Sequence, residues 1–185
     1  MTKNIKYALI LLSICAVCAF ALALTNSITE PVIIKMDAEK RLNALKAVSG
    51  GYTIGEQKEV SGHAYVTYAI ELSDNSKTAG YIVGLKSAGY GGEMTLVASY
   101  TTQGEMLFAQ LLTHTETPGL GKKAEEAGYM DKFKGTGAAK PVPTNKTMLG
   151  DSEAQAVSGS SVTFTAVAKA INGGSEYVKS LGGAK

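Results

Sequence analysis

The stretch from Tyr7 to Leu24, YALILLSICAVCAFALAL, runs for 18 residues without a charge, and Ser13 is its single aliphatic hydroxyl. As an α-helix it spans about 27 Å at about 1.5 Å per residue, close to the bilayer hydrocarbon thickness of about 30 Å. Lys3 and Lys6 precede it, and no acidic residue occurs before Glu30. Positive charge on one flank marks the cytoplasmic side. The sequence therefore predicts a single-pass cell-membrane protein with a cytoplasmic N-terminus. Residues 1–28 form the tip and anchor helix, and 29–185 form an extracytoplasmic domain. A cleaved signal peptide is the alternative, because Ala21-Leu22-Ala23 resembles an A-x-A site. The apolar run exceeds the usual h-region of about 7–15 residues, which favours an anchor.

Cys15 and Cys18 make a C-x-x-C inside this run. In lipid they read as small packing residues on one helical face. No cysteine follows, so the exterior domain has no disulfide. The anchor also accounts for the net charge of +2. Two of the 18 basic residues are Lys3 and Lys6, which leaves 16 against 16 acidic residues outside. A balanced domain of this kind argues against a nucleic-acid partner.

After the anchor, Ile28, Val32, Ile33, Met36, Leu42 and Leu45 recur mostly at three- and four-residue steps, predicting helix to about Val48 with a kink near Pro31 and an end at Gly50-Gly51. Period-2 alternation then predicts strands over His63–Leu72, Gly80–Lys86 and Met94–Tyr100. The first places Ala64, Val66, Tyr68, Ile70 and Leu72 on one face. Gly89-Tyr90-Gly91-Gly92 and Gly104 supply turns. Met106–Leu112 is apolar on both parities, which predicts a central, covered strand. A helix is expected from near Lys122 toward Phe133, a linker over Gly135–Pro143, and a helix over Val162–Ile171. Gly173-Gly174 is expected to break that helix, with a last one over Ser175–Leu181. The fold class is α+β, an antiparallel sheet with flanking helices.

No Ser-His-Asp, H-E-x-x-H or P-loop pattern is present, two histidines leave little material for a metal site, and His63 and His114 read as structural. Two stretches remain, His114–Gly121 (HTETPGLG) and Val157–Thr163 (VSGSSVT). Each sets glycine and hydroxyls before a helix, where free N–H groups and the helix dipole suit a phosphate. Ordinary N-capping by Thr117, and by Ser158 or Ser160, explains either stretch alone.

Taken in order, Gly89-Tyr90-Gly91-Gly92, TETPGLG at Thr115–Gly121, YMDKFKG at Tyr129–Gly135 and SGSSVTFTAV at Ser158–Val167 resemble the G subunit of the Rnf ion-translocating ferredoxin:NAD oxidoreductase. The C subunit of the sodium-pumping NADH:quinone oxidoreductase is the next nearest match and is longer. The resemblance implies an extracytoplasmic domain carrying FMN, joined by a phosphoester to a hydroxyl in an [S/T]-G-A-T sequence. On this chain that sequence becomes Ser158-Gly159-Ser160-Ser161, with Ser160 for the usual alanine and Ser161 for the usual threonine. Ser161 is the implied attachment residue, and Thr163 is the alternative if the register is shifted. Glu116, Thr117, Gly119, Leu120 and Gly121 are implied to form the loop near the flavin.

The resemblance further implies an electron-carrying subunit of a redox-driven translocase, without a catalytic residue, substrate site or metal of its own. Its implied partners are the other membrane subunits, including the D-type flavoprotein subunit and the A/E-type subunits, and a flavin transferase for maturation. Two rivals stand beside this reading. A membrane-anchored module binding FMN or another small ligand noncovalently would use the same glycine loops. A pilin-like structural protein would need a processing site before the apolar run and an acidic residue just inside it, and MTKNIKYALI has neither.

Overall fold

The computed structural model describes residues 2–75, 77–126 and 128–182. Helix α1 covers Thr2–Val48 and contains Pro31. It is long and apolar enough to cross a membrane. Five strands follow: β1 Thr53–Glu59, β2 Val66–Asp74, β3 Lys77–Ala88, β4 Glu93–Thr101 and β5 Met106–Thr113. Three short 3-10 helices (Gly121–Glu125, Tyr129–Phe133, Lys146–Met148) lead to α2 at Asp151–Ala156 and α3 at Ser161–Gly182. The chain divides into two compact units, Met1–Arg41 and Leu42–Lys185.

Within the second unit the strands form one antiparallel meander in chain order, β1-β2-β3-β4-β5. Alternation along β4 sends Met94, Leu96, Ala98 and Tyr100 to one face and Val97 to the other. The first face packs under α3, against Phe164, Val167, Ala168, Ile171 and Val178. The opposite face gathers Tyr68, Ile70, Leu72 and Ile82 around Ala44 and Val48 at the C-terminal end of α1. The architecture is the expected α+β.

Several local expectations are corrected. An irregularity between Val66 and Tyr68 reverses the parity of β2. Val66 joins the α3-side core while Tyr68, Ile70 and Leu72 face the other way. Strand β1 has no counterpart in the sequence reading, because TIGEQKE is exposed except for partly buried Ile54 and shows no alternation. Strand β5 lies at an edge of the sheet, not at its centre. The 135–136 segment caps its free edge at Met106, whose N–H donates to the Thr136 carbonyl at 2.8 Å and whose carbonyl accepts from the Gly135 N–H at 2.9 Å. Lys134 also lies 4.7 Å from the centre of the Phe108 ring.

The helix expected from Lys122 to Phe133 is two 3-10 turns, interrupted where Gly128 takes φ +81°. Helix α3 runs unbroken through Gly173 and Gly174. Both glycines serve close approach. A Cβ at Gly173 would lie 2.8 Å from Tyr65 Cδ2, and one at Gly174 would lie 2.4 Å from Tyr100 Oη. Tyr100 is fully buried and donates to the Ile171 carbonyl at 2.9 Å, so strand β4 and α3 are locked at the point where the helix is thinnest.

Candidate functional site

Three segments distant in sequence converge beside the start of α3. The turn between β3 and β4 contributes Tyr90 and Gly91, the segment after β5 contributes Glu116 to Gly121, and the loop after α2 leads into Ser160–Thr163. Glu116 ties them together. Its carboxylate, 4% exposed, accepts from the Gly91 N–H at 3.0 Å and from the Thr163 hydroxyl at 2.5 Å. Two donors to one buried carboxylate compensate the cost of taking its charge out of water. Gly121 is part of the same clasp, because a Cβ there would fall 2.2 Å from Glu116 Oε2. Thr115 closes it from the other side, donating from its hydroxyl to the Gly91 carbonyl at 2.7 Å.

His114 positions the peptide of Glu116. Its Nδ1 accepts from the Glu116 N–H at 3.1 Å, and its Nε2 lies 2.7 Å from Glu125. With Nδ1 accepting, the proton sits on Nε2 and points at that carboxylate. Tyr129 is buried nearby with a hydroxyl that finds no partner among the described residues. Burial, and then the negative charge of Glu116, push its phenol well above the ordinary range. His63 stacks edge-on against Tyr177 at 4.9 Å, away from these segments in sequence and partners.

The convergence encloses a cleft of about 500 Å³, within the size range of small-molecule sites. Of the sequence-derived candidates, Glu116, Thr117, Leu120, Gly121, Gly159, Ser160, Ser161 and Thr163 line it, whereas Ser158 and Gly119 do not. Tyr90 and Val162, to which the sequence assigns no chemistry, also line it. Tyr90 is 75% exposed, and with Val162 and Leu120 it gives the cleft an accessible apolar wall.

The two candidate hydroxyls differ sharply. Thr163 is buried and committed to Glu116, whereas Ser161 is half-buried at the first residue of α3 and opens into the cleft. Ser160 does not cap the helix: its hydroxyl donates backward to the Val157 carbonyl at 3.2 Å. The Ser160 carbonyl accepts the Phe164 N–H at 2.9 Å, which starts the helical ladder. The N–H groups of the first turn before Phe164 thus have no intrahelical acceptor and lie beside Ser161. A ligand with a flat apolar body and an anionic end fits this arrangement, the body against Tyr90, Leu120 and Val162 and the anion at the helix start.

The family model for an FMN-binding domain matches residues 89–175, from the Gly89 turn into α3, and the model for the RnfG N-terminal region matches residues 1–48. The G subunit of the Na⁺-translocating ferredoxin:NAD⁺ oxidoreductase complex of Acetobacterium woodii is 31% identical over 182 residues, covering 90% of this chain and 87% of that protein. The G subunit of the ion-translocating oxidoreductase complex of Methanosarcina acetivorans is 26% identical over 184 residues, covering 96% of both chains. The G subunit of the proton-translocating ferredoxin:NAD⁺ oxidoreductase complex of Clostridium ljungdahlii is 32% identical over 110 residues, which span 60% of this chain and 59% of that protein.

Proposed function

The chain belongs to the G-subunit family of Rnf-type ion-translocating oxidoreductase complexes, and from that membership we propose that it carries FMN as a phosphoester on Ser161 and relays electrons within such a complex. The observation that carries the attachment reading is the contrast between the two hydroxyls. Ser161 is open at a helix start where anions are stabilised, while the Thr163 hydroxyl is already held by Glu116. Attachment forms a bond from Ser161 Oγ to the flavin-bearing phosphorus of a flavin dinucleotide donor as the transferase breaks that donor's pyrophosphate bond. The nucleoside monophosphate leaves, the serine proton passes to solvent, and the net composition gained is FMN minus water.

FMN supplies the electron-carrying chemistry when bound. The chain's own task is placement. Glu116 fixes the Gly91 turn, the Gly121 loop and the first turn of α3 relative to one another, so that Tyr90, Leu120 and Val162 present one wall. A covalent link keeps the cofactor on a domain that we place outside the cytoplasm, where a modest affinity would lose it by dilution. No general base is needed, and none is assigned. The reading includes the remaining membrane subunits as partners, the D-type flavoprotein and A/E-type subunits among them, and a flavin transferase as maturation enzyme.

Intact mass and ultraviolet fluorescence of the denatured band, after co-expression with a flavin transferase, test the attachment. The expected result is a fluorescent band with the FMN-minus-water increment, lost in Ser161→Ala and retained in Thr163→Ser. An unmodified wild-type mass would refute covalent attachment and leave noncovalent binding in the same cleft. An increment that persists in Ser161→Ala would move the ester to another hydroxyl.

A further inference from the structure

Ser161 and Val162 stand between two clefts. On the side away from Glu116 they border a second one of about 450 Å³, whose walls also carry Tyr65, Ser87, Thr165 and Lys169. Ser161, Thr165 and Lys169 follow at four-residue steps, so they share one stripe of α3. Long side chains on a helix lean toward its N-terminus, which aims the Lys169 ammonium back toward Ser161.

The chemistry of this second cleft is that of an anion site. Among the described residues no carboxylate lines it. Ser87, near the end of β3, is 8% exposed, and its hydroxyl makes no hydrogen bond among the described residues. Lys169 forms no ion pair among them either. It is not one of the enclosed hydroxyls, such as those of Ser99 and Tyr129, that are left without a partner among the described residues, so the Ser87 oxygen reaches the cleft and is free to donate to a phosphoryl oxygen there. The positive end of α3 adds its field at the same place. The first cleft differs, because the Glu116 carboxylate there repels phosphate while its exposed apolar residues welcome a ring.

We propose that the second cleft seats the phosphodiester at Ser161, with Lys169 as its counter-cation and Ser87 and Thr165 as hydrogen-bond donors to its free oxygens. This rests on the attachment reading above. It assigns the two clefts to the two ends of one ligand, ring on the Tyr90 side and phosphate on the Lys169 side. Lys169 acts as a positioning residue, fixing which way the tethered group leaves the helix.

The test compares the full chain in detergent, made with and without the flavin transferase, by amine acetylation and peptide mass spectrometry. Lys169 in the flavin-bearing chain should react more slowly by about threefold, the protection expected of an exposed ion pair. Lys179, exposed further along α3, should react alike in both and serves as the internal reference. Equal reactivity of Lys169 in chains whose intact masses differ by the flavin increment would overturn the phosphate seat alone. A transferase-treated chain of unmodified mass would overturn the attachment reading, and this inference with it.

Discussion

Glu116 and Tyr100 illustrate how single side chains hold the second unit together by different means. Glu116 uses charge, bridging residues 25 and 47 positions away in sequence. That span explains why its partner is not legible in the sequence: ETPGLG and SGSS announce themselves as motifs, but nothing local pairs Thr163 with Glu116. A tyrosine among glycines reads as turn sequence, and the exposure of Tyr90 at the cleft is a tertiary fact. Tyr100 uses burial, which pushes its phenol far above the ordinary value of 10.0. The folded state then holds a proton that the unfolded chain releases above about pH 10, so the contribution of this residue is complete below that pH and declines as pH rises beyond it. Tyr100→Phe should cost about 1 kcal/mol at pH 7 through the lost bond to the Ile171 carbonyl. It should also make the alkaline loss of stability shallower, by up to about 1.4 kcal/mol per pH unit above pH 10. Urea unfolding followed by circular dichroism at pH 7 and above pH 10 measures both effects. An unchanged alkaline slope would show that Tyr100 does not control it.

Helix α3 is the element on which the site depends, since its first turn lies beside Ser161 and its stripe carries Lys169. Its apolar periodicity is readable in the sequence, and its continuity is not. Gly173-Gly174 has the local signature of a break, and only the rings of Tyr65 and Tyr100 reveal that these positions are small because strand-side residues fill the space a Cβ would take. The strands show the same limit. Those with one buried face announce themselves by alternation. Edge strand β1 has nothing to alternate against, and β5, apolar on both parities, is an edge strand whose free edge is capped at Met106 by the 135–136 segment. The helix offers a prediction of sign. In an exposed helix interior, glycine to alanine stabilises by up to about 1 kcal/mol. Gly174→Ala should instead destabilise by about 1–3 kcal/mol, because the new methyl meets Tyr100 Oη at 2.4 Å. The penalty should shrink when Gly174→Ala is placed on Tyr100→Phe, which removes the clashing oxygen. Denaturation midpoints of the four proteins in that cycle decide the matter, and additive effects would disprove the contact.

For the molecule as a whole, the distribution of charge carries more information than its sum. The net +2 belongs to Lys3 and Lys6, and the remaining chain is formally neutral. A neutral second unit exerts little electrostatic pull of its own toward either side of a membrane, so orientation falls to the two lysines ahead of the apolar run. A phosphodiester at Ser161 would make that unit slightly acidic, leaving these lysines as the dominant topological signal. If they orient α1, the second unit lies outside the cytoplasm. A cysteine at Lys58, exposed on edge strand β1, reports the side directly. In intact spheroplasts, Lys58→Cys should react with a membrane-impermeant maleimide, whereas the parent chain should not, because Cys15 and Cys18 lie within the apolar run. Replacing Lys3 and Lys6 by glutamate should reduce the labelled fraction by removing the positive flank. Labelling of Lys58→Cys only after lysis would reverse the topology and place the proposed flavin on the cytoplasmic side.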